Sequence, residues 1–449
     1  MVRTDRKHFI VDVVIYLFCF AMVLLLLFSF DYSKSKFEVV FSFLINGILF
    51  SFFIIYTKKN FSPIRIFNIF SFFFMFIAPL SQYLSNVVLW NSTGSIVTYT
   101  SNDYFTTNIL VFIFSLVVNL FALINYKENK KQSKKINMNY PLLYIISIIF
   151  TLLFFFLEKS ESFKALEISS MVEMFCGFVP VSLYMVDYIN NDAKGLYIKK
   201  HNLLFIIEII IIFFPFSGEI GRWLLFGCYL SLFTLIFAKS RYKSIVFLIF
   251  IIGFFYIFSA FNFFKANDFS DILSFSFNST TAFNSVDFDA FQMIMMTIKY
   301  CDLNGFCYGW NLFSGLFSFI PRSIWTSKAI MSGAIVTSYF GSSFTNISCP
   351  LIAEFYYAFS YFGVAIGSVL TGLFFRLIEK NSNHGIFGRG LYCLITGLLI
   401  FILRGAFLPT VSHSYWIILA FIFALICSHL FSFNKKINNT KVLTYKRDY

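Results

Sequence analysis

A chain of 449 residues in which 58% are apolar and 13% charged does not suit a water-soluble domain, where charged residues make up about 25%. The formal charge of +13 does not indicate a nucleic-acid binder either: the basic excess lies in short hinges between apolar runs, where contact with anionic headgroups accounts for it. The apolar residues fall in blocks near the roughly 20 residues a helix needs to cross the hydrocarbon layer. The expected fold class is therefore all-α, a polytopic membrane helical bundle.

About twelve spans are read in chain order: 10–30, 37–56, 66–89, 104–125, 141–157, 168–189, 202–216, 223–238, 244–264, 351–378, 390–408 and 415–433. Most of the 35 lysines and arginines lie in the alternate loops on the side of both termini, in segments such as Arg3/Arg6/Lys7, Lys58/Lys59/Arg65 and Lys127 to Lys135. The positive-inside rule places that side, and both termini, in the cytoplasm. The first span ends LLLLFSFDYSK with no small-residue cleavage site after it, so it reads as an uncleaved anchor. The chain thus divides into nine spans within 1–264, one large extracytoplasmic loop at 265–350, three spans within 351–433 and a cytoplasmic tail at 434–449.

The 68 phenylalanines read as a nucleotide bias toward A and T in the gene rather than as a site. Cys19, Cys176, Cys228, Cys393 and Cys427 lie in spans as small apolar residues. Cys301 and Cys307 flank a polar DLNGF turn in the loop, where a bridge would persist in an oxidising compartment; Cys349 leaves an odd count, and the pairing stays open.

A loop this long usually carries function or structure of its own. It begins polar and turn-like. VDFDAFQMIMMTIKY then sets Phe288, Phe291, Met295 and Ile298 at helical spacing, the pattern of an amphipathic helix lying on the membrane face or over the bundle. GWNLFSGLFSFIPRSIW is too short and glycine-broken to span and reads as a re-entrant or interfacial segment ended by Pro321. There is no internal repeat to support an inverted-repeat transporter.

Ionisable side chains in or at the edge of a bilayer need a reason to be there. Arg222 lies in SGEIGRW between two short spans flanked by Pro215, Gly218 and Gly221, and Arg404 lies in LLIFILRGAF near the extracytoplasmic end of span eleven. Snorkelling is the plain alternative for each. With Arg322 in IPRSIW and Lys328, four cations face one compartment. Guanidinium groups bind phosphate oxygens bidentately, so a polyphosphate headgroup is the natural guest. Glu354, in SCPLIAEFYYAF at the first turn of span ten, is the carboxylate best placed to accept a proton or orient a hydroxyl, although the helix dipole that favours its ionised form also weakens it as a base. His413, in PTVSHS, is the reserve base. Glu208, in mid-span, reads as an ion-pair partner of Arg404 or Arg222. Asp287 and Asp289 form a DxD pair whose helical spacing points the side chains apart, so no metal site is expected. Gly363 and Gly367 form a GxxxG that lets span ten pack closely.

The stretches 287–328 and 346–367, with a PRxxW-K element (Pro321, Arg322, Trp325, Lys328) and an N-x-S-x-x-x-x-x-E-x-Y segment (Asn346, Ser348, Glu354, Tyr356), resemble the signature region of Wzy-type O-antigen polymerases. Ala329 stands where that pattern usually has proline, which puts the local turn in doubt. The resemblance implies a GT-C-like fold in the bacterial inner membrane and a reaction that needs no cofactor. In it, a growing glycan passes from undecaprenyl diphosphate to a sugar hydroxyl of a new lipid-linked repeat unit. Arg222, Arg322, Lys328 and Arg404 would hold the diphosphate, and Glu354 would activate the hydroxyl. A chain-length regulator and a flippase are the implied protein partners, beside membrane lipids. An O-antigen ligase and a lipid-linked oligosaccharide flippase are the rival readings; the long loop argues against the latter. The loop reads as a lid carrying Arg322 and Lys328 over Arg222, Glu354 and Arg404.

Overall fold

Inside a bilayer each segment must satisfy its own backbone, so apolar blocks of this length close into helices. The computed structural model describes residues 36–432 apart from 58, 60, 91–93, 95, 125–128, 130–134, 165–168, 214–221, 239–282, 285 and 345–346. Among the described residues the elements are α1 (Phe37–Tyr56), α2 (Pro63–Leu84), α3 (Ser101–Ala122), α4 (Tyr140–Lys159), α5 (Ser169–Asn190), α6 (Leu203–Phe213), α7 (Arg222–Phe237), α8 (Ala290–Asn304), α9 (Trp310–Leu316), α10 (Ser332–Tyr339), α11 (Leu351–Lys380), α12 (Gly385–Arg404) and α13 (Phe407–Leu430). Eight of them, α1 to α5 and α11 to α13, are long and apolar enough to cross a membrane, and α6 and α7 are shorter apolar helices. The chain is a multi-pass helical membrane protein. The expected spans 10–30 and 244–264, the polar start of the loop and the tail 434–449 fall largely or wholly outside the described residues.

Two apolar helices have opposite surroundings. The apolar window of α2 is wholly buried, whereas that of α4 is 22% buried and turns Ile145, Ile148, Ile149, Leu152 and Phe156 outward. The buried helix carries polar side chains that bond to its neighbours. Asn68 of α2 and Asn119 of α3 exchange amide hydrogen bonds of 2.8 and 2.9 Å, and Asn46 of α1 donates to Asn108 Oδ1 of α3 at 3.0 Å. Within α2 the turn Phe73–Ile77 widens to a π-helix just before Pro79, where the missing N–H and the ring would otherwise disrupt the ladder.

The close crossing is not at Gly363 and Gly367. A Cβ on either would strike Phe355 of the same helix, because α11 is broken at Phe359 and Ser360, the latter at φ 57°. Backbones approach closely between α7 and α12, where a Cβ on Gly397 would lie 2.3 Å from the Ser231 nitrogen, and between α11 and α3, where one on Gly372 would lie 2.7 Å from the Val118 carbonyl oxygen. Small residues allow that approach.

The loop helix α8 does not lie on a surface. Ala290 to Thr297 are all buried, and the Gln292 side chain bonds inward. It donates to Gln82 Oε1 (3.0 Å) and the Val87 carbonyl (2.8 Å) and accepts from Leu89 N (3.0 Å). This part of the loop is therefore an interior piece of the bundle. Glu208 of α6 accepts from Ser147 of α4, and Arg404, one of its two expected partners, pairs with Asp289 instead; the Arg222 side chain lies outside the described residues.

Asn119→Leu strands the buried Asn68 amide and should cost about 1–3 kcal/mol. The double change Asn68→Leu/Asn119→Leu should cost less than the two single changes summed, read as the midpoint of heat-induced aggregation in detergent.

Candidate functional site

Glu354 on α11 and Arg404 at the end of α12 sit where the loop meets the spans, and His413 lies on α13. The break in α11 leaves a short helical piece, 351–358, ahead of the span proper. A carbonyl freed by the break is taken up by the loop, as Cys307 N donates to Tyr357 O at 3.0 Å, and Asn311 Nδ2 also donates to Glu354 O at 3.1 Å.

Glu354 lies on this piece and is buried. Its Oε2 accepts from Asn311 Nδ2 of α9 (2.6 Å) and Ser332 Oγ of α10 (2.8 Å), and its Oε1 accepts from the Phe407 N–H (2.8 Å). The Cys349 thiol adds a further hydrogen bond. Phe407 opens α13, so its N–H is one of the donors a helix start leaves unsatisfied. One carboxyl thus joins α9, α10, α11 and α13. Gly333 lets α10 close on the chain beside Glu354, since a Cβ there would lie 2.8 Å from the Ser348 carbonyl oxygen.

Arg404 ends α12, three residues before Phe407. Its guanidinium donates to Asp289 Oδ1 (3.0 Å) and to the carbonyls of Asp287 (2.9 Å) and Val286 (3.1 Å). It therefore holds the start of α8 rather than snorkelling. Asp289 also accepts from Ser348 N at 3.4 Å. Burial pushes the Asp289 carboxyl above its usual range, while Arg404 beside it pulls the other way. The DxD residues are an anchor for this arginine; among the described residues no group of three or more His, Cys, Asp or Glu could hold a metal ion.

Arg322 and Lys328 stabilise the loop that carries them. Lys328 Nζ donates to the carbonyls of Ser318 (2.7 Å) and Ile320 (2.9 Å), and Arg322 donates to those of Lys328 and Ala329. The alanine in place of proline has a use here: its N–H donates to Ser314 Oγ of α9 at 3.0 Å, a bond that proline could not make.

His413 is half-buried on α13. Its Nδ1 lies 2.6 Å from the Pro409 carbonyl; the carbonyl can only accept, so Nδ1 carries the proton and a neutral ring leaves Nε2 as the acceptor. Arg222 opens α7, but its side chain lies outside the described residues. Sequence reasoning missed Asn311, Ser332 and Asp289 in its assignment of partners. Asn311 had a signal, as a polar residue inside an apolar run, whereas Ser332 had none.

Residues 345–436 match the family model of O-antigen polysaccharide polymerase Wzy. The Wzy match covers Glu354, Arg404 and His413 and supports a polymerase role in O-antigen synthesis. No curated protein and no solved structure matches the chain.

Cys301 and Cys307 are free thiols. Burial pushes the Cys301 thiol up to about 12 and raises that of Cys307, which donates to Asn311 Oδ1 at 3.0 Å. A raised thiol holds less thiolate at neutral pH. Maleimide labelling of Cys307, followed by mass spectrometry, should therefore be slower than that of an exposed thiol at pH 7 and should keep accelerating as the pH rises toward 9.

Proposed function

We propose that this protein polymerises undecaprenyl-diphosphate-linked oligosaccharide repeat units. The growing glycan moves from its lipid diphosphate to a sugar hydroxyl of a new unit at the outer face of the bacterial inner membrane, with both termini in the cytoplasm. The observation that carries this reading is the Wzy match over 345–436, which coincides with the helices that converge on the loop. Both substrates keep their lipid in the bilayer, so their reacting ends meet at a membrane face, which suits a site built from span ends and a loop.

Cleaving the sugar–diphosphate bond develops negative charge on the leaving group, and fixed cations stabilise it. Arg322, Lys328 and Arg404, with Arg222 at the start of α7, are proposed for that task. The carbonyls around Arg322 and Lys328 fix where these charges sit. The acceptor hydroxyl needs a proton acceptor. Glu354 and His413 divide the work in this reading. The oxygens of Glu354 already accept from Asn311, Ser332 and Phe407, which suits holding the loop against the spans. His413 Nε2 is the acceptor left by the Pro409 contact, which suits taking the proton. A chain-length regulator and a flippase are the proposed protein partners.

Deleting the gene and separating the surface glycan on a gel tests the class. A single capped repeat marks a polymerase, long chains left on the carrier mark a ligase, and repeat units building up at the cytoplasmic face mark a flippase. In the intact chain, His413→Ala should accumulate normally while polymer formation falls about 100-fold or more. Glu354→Gln should lower both polymer and the thermal midpoint; loss of polymer with no change in stability would give the proton-accepting role back to Glu354.

A further inference from the structure

The segment around α9 exposes an apolar face. Trp310, Phe313, Leu316, Phe317, Phe319 and Ile324 are all exposed, Ile324 by 78%. Their rings form a continuous cluster: Trp310 lies 5.7 Å from Phe313 and 5.4 Å from Trp325, and Phe313 lies 4.8 Å from Phe317. A free aromatic patch of this kind on a water-facing loop would be a liability.

Both indole N–H groups of the segment are bonded within it. Trp310 Nε1 donates to the Ser327 carbonyl and Trp325 Nε1 to Ser327 Oγ, each at 3.1 Å. Between Phe306 and Ser327 the chain carries a single charged residue, Arg322, and its guanidinium reaches back to the carbonyls of Lys328 and Ala329.

Two contacts set the depth of the patch. A Cβ on Gly315 would lie 2.4 Å from the ring of Phe407, the first residue of the span α13. Gly309 precedes α9 at φ +81°, and a Cβ there would lie 2.7 Å from the ring of Phe359 at the break in α11. Phe359 is itself exposed, as are Tyr361 and Phe362 at the start of the span proper. The patch therefore continues the outward apolar surface of α11 at the level where α11 and α13 begin.

We propose that residues 308–325 are a wedge inserted into the bilayer on the loop side, with phospholipid acyl chains next to the headgroups as the occupant of the aromatic face. Tryptophan and other aromatic rings favour that depth. The wedge fixes the level of the loop.

The test uses the full chain in nanodiscs made with phosphatidylcholine brominated at acyl positions 6 and 7, compared with unbrominated lipid. Wild type is set against Trp310→Phe/Trp325→Phe, so that the difference in emission belongs to these two indoles and no buried tryptophan is altered. The expected difference spectrum is blue-shifted, is quenched about twofold or more by the brominated lipid and resists acrylamide. A red-shifted difference spectrum quenched by acrylamide but not by bromine would overturn the proposal, because the face would then be in water. Shielding from both quenchers would overturn it as well, because protein would then cover the face. The depth is read without a polymer assay, so failure here leaves the proposed reaction standing.

Discussion

A carboxyl group cut off from water must be met by donors, and at Glu354 those donors come from four parts of the chain. Asn311 and Ser332 belong to the loop, Cys349 to the approach to α11, and Phe407 to the start of α13. Removing an acceptor of this kind leaves each donor buried and unsatisfied. The break in α11 follows the same requirement. It exposes the Tyr357 carbonyl, which would otherwise be closed within a helix, and the loop residue Cys307 satisfies it. Loop and spans are therefore joined by polar contacts that neither could satisfy alone.

A second junction lies beside the first. Arg404 binds Asp289 and two carbonyls at the start of α8, and Asp289 also receives Ser348 N. With Gln292 pinned to Gln82, Val87 and Leu89, these contacts hold α8 as an internal packing helix. The short turn from Arg404 to Phe407 carries one partner of each junction, so a displacement there would disturb both.

The sequence made the helical spans legible because a bilayer imposes a length on any segment that crosses it. It did not say which spans would be enclosed: the wholly buried α2 is the less apolar of the two, with mean hydropathy 1.7 against 2.4 for α4, and carries polar side chains that bond its neighbours. Glu354 and Arg404 stood out as charges in apolar runs, but the pairing with Asn311, Ser332 and Asp289 did not, because these partners lie far away along the chain. The GxxxG of Gly363 and Gly367 misled for a related reason. The motif reports a need for room without saying which neighbour fills it, and here the neighbour is Phe355. The amphipathic reading of α8 failed because Gln292, polar by type, found its partners inside.

The distribution of donors around Glu354 also bears on the order in which the molecule can be completed. Asn311 and Ser332 precede the carboxyl in the chain, whereas Phe407 follows it beyond a whole further span. During synthesis Asn311 and Ser332 are made before 351–358, and the Phe407 N–H can join only once α12 has been made. Until then Glu354 lacks one of its donors. Biogenesis of this end of the protein thus finishes on a single turn, and a nascent chain stalled before it would hold a carboxyl only partly satisfied at the edge of the bilayer.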